Sequence, residues 1–312
     1  MSEPVSAPPP SKAQILLRRS VSTVVLWTVI LAALFSGIPL VSDGIFLILI
    51  ALLALAGLIE FYGIADKRGM VNFKWSGLIG GLLLMVGTFL NVTGHLGTGG
   101  PAGSPARVND FETTFLILFV LGLCVRQFVS KKNTAGLTAI ATTLFGLMYV
   151  PWLLNFIQKI SFFPFPPGSP ADAGKYFLLY FILVTKFSDM GAYAVGSLIG
   201  KHKMIPRISP GKTWEGFGGA ILVSTGGSLA FVHFFGAKMV GMNYLHAIVL
   251  GVVLSVAAVI GDLIESLFKR EAGVKDSGKL FPGIGGILDL LDSLLFNAPL
   301  MYLYLRHILT HP

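Results

Sequence analysis

Glu60, Asp189, Asp262, Glu265, Asp289 and Asp292, together with Lys186, fall within or at the ends of long apolar runs of this chain. A carboxylate at the middle of a bilayer costs about 2.5–3.5 kcal/mol even on the lenient insertion scale. Several together must therefore face protein, water or cations, unless they sit at helix ends in the wet interface, where the cost nearly vanishes. Asp262, Glu265 and Lys269 are spaced i, i+3, i+7 and so lie along one helical face. Asp289 and Asp292 repeat the i, i+3 spacing. Such a cluster suits a hard divalent cation with oxygen ligands; without one, the carboxylates repel each other or take up protons. A proton or sodium path uses the same ingredients. Two basic segments bear on the choice. One holds Lys201-His202-Lys203 and Arg207 to Thr213; the other holds Lys269-Arg270 and Lys275-Asp276-Ser277-Gly278-Lys279. Cations beside a metal-binding carboxylate cluster are what a polyphosphate requires, and the Gly, Ser, Thr and Pro of these segments expose backbone N–H groups to an anion. The plainer reading of the same charges is a topology signal.

The elements that must position these groups are membrane helices. Of 312 residues, 54% are apolar and 12% charged, about half the ~25% charged share of a globular protein, and mean hydropathy is +0.78. These values exclude a disulfide scaffold, a disordered chain and an ordinary cytosolic enzyme. The single cysteine, Cys124, has no partner within the chain. The pattern predicts an all-α, polytopic bundle of about nine spans: Val21–Val41, Ile45–Ala65, Trp75–Leu96, Phe111–Val129, Leu137–Ile160, Tyr176–Ile199, Phe217–Gly236, Leu245–Phe268 and Gly285–Ile308. Residues 1–19 read as a disordered cytoplasmic tail, 20–160 as an N-terminal transmembrane region, and 161–312 as a catalytic region with two cytoplasmic basic loops. Alternate loops divide Lys and Arg 17 to 5, with Lys186 inside a span. That bias places the N-terminus in the cytoplasm and the acidic residues in the cytoplasmic half. The net charge of +8 is thus a matter of topology and gives no reason to expect nucleic acid.

Several features carry less. Gly211-Lys212-Thr213 resembles the end of a P-loop, but Pro206 stands where that motif needs glycine, and no strand is predicted before it. Asn91-Val92-Thr93 is a sequon within or at the end of a span. Gly196 and Gly200 have small-residue spacing suited to helix packing. The six histidines lack metal-ligand spacing.

The run Ser266, Lys269-Arg270, Lys275-Asp276, Gly278, Pro282, Gly285-Gly286, Asp289 and Asp292 resembles the signature of phosphatidate cytidylyltransferases, also called CDP-diacylglycerol synthases. The family pattern, S-x-x-K-R-x4-K-D-x-G followed by P-x-H-G-G-x-x-D-R-x-D, keeps its spacing here over 27 positions. A second block agrees: Asp189, Gly191-Ala192-Tyr193, Gly200-Lys201-His202-Lys203, then Ser209-Pro210, Lys212-Thr213 and Glu215-Gly216. The resemblance is close from about Tyr176 onward. Ile284 and Leu290 depart from it, standing at the family's usual histidine and arginine, as do Ser197 and Gly211.

The resemblance implies that CTP and phosphatidate give CDP-diacylglycerol and pyrophosphate. It also implies Mg²⁺ on Asp262 and Asp289, a second, monovalent cation such as K⁺, and a homodimer. Lys269, Arg270, Lys275, Asp276, Asp189 and Asp292 would be catalytic; Ser209, Lys212, Thr213, Ser266 and Glu265 would bind substrate. A bacterial inner membrane, with the site facing the cytoplasm, is the expected home. Two other readings stay open: a CTP-dependent lipid-alcohol kinase, which would release CDP, and a cation-coupled transporter using the same carboxylates.

Overall fold

The computed structural model describes residues 39–95, 104–130, 135–274, 277–278 and 286–310. It is almost entirely helical. In chain order the helices are α1 (Pro39–Lys67), α2 (Lys74–Val92), α3 (Pro105–Val129), α4 (Gly136–Leu147), α5 (Leu153–Ser161), α6 (Ala173–Ile199), α7 (Trp214–Phe235), α8 (Tyr244–Glu271) and α9 (Ile287–Tyr304). A π-helical turn, Met148–Trp152, joins α4 to α5, and a second, Leu305–Leu309, ends α9. Pro151 lies in the first of these turns; its missing N–H and its ring are incompatible with an uninterrupted α-ladder.

Among the described residues, eight helical segments are long and apolar enough to cross a membrane. They coincide with the last eight predicted spans to within a few residues. The first, Val21–Val41, lies almost wholly outside the described residues; the tail and the residues Lys275, Asp276 and Lys279 lie wholly outside them. One element departs from the all-α expectation. Between α6 and α7, β1 (Lys203–Ile205) pairs antiparallel with β2 (Ser209–Thr213), with Lys203 opposite Thr213 and Ile205 opposite Ser209.

One contiguous core links both ends of the chain. Leu58 and Tyr62 of α1, Met85 of α2, Leu154 and Ile160 of α5, Phe177 and Tyr180 of α6, and Leu288 and Leu295 of α9 are fully buried in it. Lipid is as apolar as these side chains, so their burial stabilises the bundle by close packing more than by exclusion of water. Small residues let the backbones approach. A Cβ on Gly191 of α6 would lie 2.5 Å from the carbonyl oxygen of Gly219 in α7, so these two helices pack almost backbone to backbone. Polar pairs add specificity. Tyr180 and Ser228 share a hydrogen bond of 2.7 Å, and Asn297 donates to Thr185 at 2.8 Å. Lys159 pairs with Glu112 at 2.6 Å, both nearly inaccessible, and Trp152 donates to the same carboxylate at 3.0 Å.

Candidate active site

The site is assembled from α6, α8 and α9 and from the hairpin that follows α6. On α6, Lys186 and Asp189 form an i, i+3 ion pair of 3.2 Å. Lys186 also donates to the Leu290 carbonyl at 3.3 Å and to Ser293 Oγ at 3.4 Å, which ties α6 to α9. On α8, Asp262 pairs with Lys212 of the hairpin at 2.8 Å, and Ser266 donates to the other Asp262 oxygen at 3.4 Å. One turn further, Lys269 pairs with Glu265, fully buried, and reaches across to Asp289 Oδ1 at 2.5 Å. Asp289 lies in the first turn of α9, where its other oxygen accepts from Gly286 N at 2.8 Å. A carboxylate there satisfies an orphan N–H and faces the positive end of the helix dipole.

Local sequence explains how the hairpin is held over these helices. Thr213 caps α7, its hydroxyl accepting from Gly216 N at 3.1 Å, as a threonine before a helix commonly does. Glu215 accepts from the backbone N–H groups of Lys201 and His202 at 3.2 Å, closing the hairpin's base. Lys212 donates to the Val259 carbonyl at 3.1 Å, and Arg270 donates to the Ile208 carbonyl at 3.2 Å. Both basic side chains therefore bind the hairpin to α8.

A cavity of about 620 Å³ results. Asp189, Asp262, Asp289 and Asp292 line it, with Lys212 and Lys269 and with Ser209, Thr213, Ser197 and Tyr193. Three separate helices thus aim carboxylates into one hollow. Of the other site residues expected from sequence, Glu265 and Ser266 stand behind this wall, Arg270 braces the hairpin, and Lys275 and Asp276 lie outside the described residues. Tyr193, part of the second matching block, and Ser197, a departure from the family pattern, also line the hollow, as does Met204, which no spacing marked. Lys186 and Ser293 act behind it as a tie whose only trace in the sequence is polarity within an apolar span.

Asp189, Asp262, Asp289 and Asp292 bring carboxylate oxygens to the hollow, the ligand type that a hard divalent cation takes. Among the described residues no three Asp, Glu, His or Cys side chains converge as a metal site. Mg²⁺ does not require one, since it is commonly held by one or two carboxylates together with substrate phosphates.

Comparison with known proteins bears on the chemistry. The sequence model of the cytidylyltransferase family matches residues 18–308. A phosphatidate cytidylyltransferase of Staphylococcus saprophyticus is 32% identical over 270 residues, covering 82% of this chain and 98% of its own. One of Haemophilus influenzae is 44% identical over 127 residues, 40% of this chain and 44% of its own. An uncharacterized Escherichia coli protein, YnbB, is 34% identical over 165 residues, 53% of this chain and 51% of its own. The matched stretch thus spans about half the length of the latter two relatives and nearly all of the first.

Proposed function

Because the chain belongs to the cytidylyltransferase family, we propose that it transfers the cytidylyl group of CTP to phosphatidate, forming CDP-diacylglycerol and pyrophosphate. The observation that carries this reading is the convergence of four aspartates and two lysines from α6, α8, α9 and the hairpin on one cavity. A phosphate oxygen of phosphatidate attacks the α-phosphorus of CTP. The bond from that phosphorus to the oxygen bridging the β-phosphorus breaks, and pyrophosphate leaves with the electron pair. The phosphatidate oxygen is already anionic, so no strong general base is required. The obstacle is bringing two anions together.

Lys212 and Lys269 meet that obstacle. Each is paired with a carboxylate on the cavity wall, and each can turn to a phosphate oxygen while that carboxylate takes another partner. Asp262 and Asp289 would hold Mg²⁺, which would supply charge neutralisation on the nucleotide phosphates and the leaving pyrophosphate. Ser209 offers a hydroxyl to a phosphate oxygen. Asp189 and Asp292 complete the acidic wall, and Glu265 and Ser266 orient Lys269 and Asp262. Arg270 and Thr213 hold the hairpin in place. A second, monovalent cation, a homodimer and a catalytic role for Lys275 and Asp276 belong to the same proposal.

The 17-to-5 bias of Lys and Arg among alternate loops supports a cytoplasm-facing site in a bacterial inner membrane. Phosphatidate keeps its acyl chains in the bilayer while CTP arrives from the cytosol, so a polar hollow at the helix ends serves both. Residues 161–312 carry the chemistry in this reading, 20–160 buttress it, and 1–19 form a tail. Incubating the purified protein with CTP, phosphatidate and Mg²⁺ tests it. CDP-diacylglycerol and pyrophosphate are expected. CDP with a phosphorylated lipid would mean a kinase instead, and ion flux in liposomes without nucleotide turnover would mean a transporter.

A further inference from the structure

Glu60 belongs to α1, more than 200 residues before the segment it touches, and the transfer reaction gives it no role. Its Oε2 accepts from Ser277 Oγ at 2.9 Å and from Leu288 N at 2.8 Å. Leu288 is the second residue of α9, so Glu60 satisfies an N–H that the helix leaves unpaired. Asp289 accepts from the same short segment on its other side, from Ser277 N at 3.3 Å and Gly286 N at 2.8 Å. Ser277 thus stands between the two carboxylates: its hydroxyl lies 2.9 Å from Glu60 Oε2 and 3.0 Å from Asp289 Oδ2, and its N–H points to Asp289.

The glycines around this contact fit the same account. A Cβ on Gly278 would overlap the Glu60 carboxylate, and one on Gly286 would overlap Ser277 Oγ and Glu60 Oε2. Neither glycine has a positive φ. Close approach, rather than backbone conformation, therefore sets both positions: a side chain at 278 would push the Glu60 carboxylate from its place, and one at 286 would also meet the backbone N of Gly278 at 2.6 Å.

We propose that Glu60 is a positioning residue: from the N-terminal region it clamps Ser277 and the start of α9, and so sets where Asp289 meets Lys269 in the reaction cavity. The proposal rests on the transfer reaction above only for its activity readout. Glu60 touches neither the cavity nor the reacting atoms among the contacts described, and acts through Asp289.

The test compares Glu60→Ala, Glu60→Gln, Gly278→Ala and the Glu60→Ala/Gly278→Ala double variant, purified as full chains in detergent. Steady-state formation of CDP-diacylglycerol and backbone hydrogen exchange over residues 286–292 are measured on each. Glu60→Ala is expected to lower kcat about 10- to 100-fold, the worth of hydrogen bonds to a charged group, with the KM for phosphatidate unchanged and exchange at Leu288 faster. Glu60→Gln keeps an oxygen acceptor and should recover to within about threefold of wild type. Gly278→Ala should lose activity by itself, yet add less than about twofold once Glu60 is alanine, because the overlap has gone. Wild-type kcat and exchange in Glu60→Ala, no recovery in Glu60→Gln, or full additivity of the two changes would each overturn the clamp. Should Glu60→Ala fail to fold, wild-type turnover by Gly278→Ala would overturn it as well. Absence of CDP-diacylglycerol from the wild type would instead sink the proposed reaction, while the exchange data would still judge the clamp.

Discussion

Replacing Asp289 by asparagine separates its charge from its shape. In the native site Oδ1 accepts from Lys269 at 2.5 Å, and Oδ2 accepts from Gly286 N at 2.8 Å and from Ser277 at 3.0 Å. Asparagine has one acceptor oxygen and two N–H donors. If its oxygen keeps the helix-capping side, its amide group faces the Lys269 ammonium, donor against donor. One charge-assisted hydrogen bond is lost, worth about 1.5–3 kcal/mol. Lys269 is not orphaned, because Glu265 still holds it, so the bundle should stay folded. If the same energy is lost from the transition state, turnover falls about 10- to 160-fold. Loss of the carboxylate from the proposed Mg²⁺ pair takes it lower still. The assay is CDP-diacylglycerol formation from CTP and phosphatidate at saturating Mg²⁺, beside a thermal melt in the same detergent. Turnover near wild type with an unchanged melt would remove Asp289 from the mechanism and with it the proposed role of the α8–α9 acidic wall.

Four further outcomes are expected. Chelation should abolish turnover and added Mg²⁺ restore it; full activity in excess chelator would exclude the divalent ion. Lys212→Met should raise the KM for CTP by about tenfold or more, the worth of a charged hydrogen bond, and an unchanged KM would confine Lys212 to bracing the hairpin. Gly191→Val should force α6 from α7, destabilising the bundle by about 1–3 kcal/mol as overpacking does, visible as a lower melting temperature; an unaltered melt would contradict the close approach. Lys159→Met would strand the buried Glu112 carboxylate, destabilising by about 3–5 kcal/mol, whereas Lys159→Met with Glu112→Gln should recover much of that loss in the same melt.

Span positions were legible because a helix must offer about 20 apolar residues to cross lipid, and that requirement is written along the chain. Eight of the nine predicted segments have counterparts among the described helices. The spacing of Asp262, Glu265 and Lys269 showed that they share a face, since helical periodicity is local. The hairpin was not legible. Strands of three and five residues carry no alternation, and what holds them is a set of contacts to α7 and α8 that no periodicity encodes.

Sequence alone thus determined the helix count to within the described region, the concentration of basic charge in one set of alternate loops, and which acidic groups had to find partners in a membrane. The partners themselves were settled only in three dimensions. Lys212 meets Asp262 50 residues away, and Glu60 meets Ser277 217 residues away. A lone carboxylate in an apolar run states that desolvation must be compensated; it does not say by what, because any cation or N–H brought near by the packing would serve. The pairing follows from how the helices pack, and that packing is a property of the whole bundle.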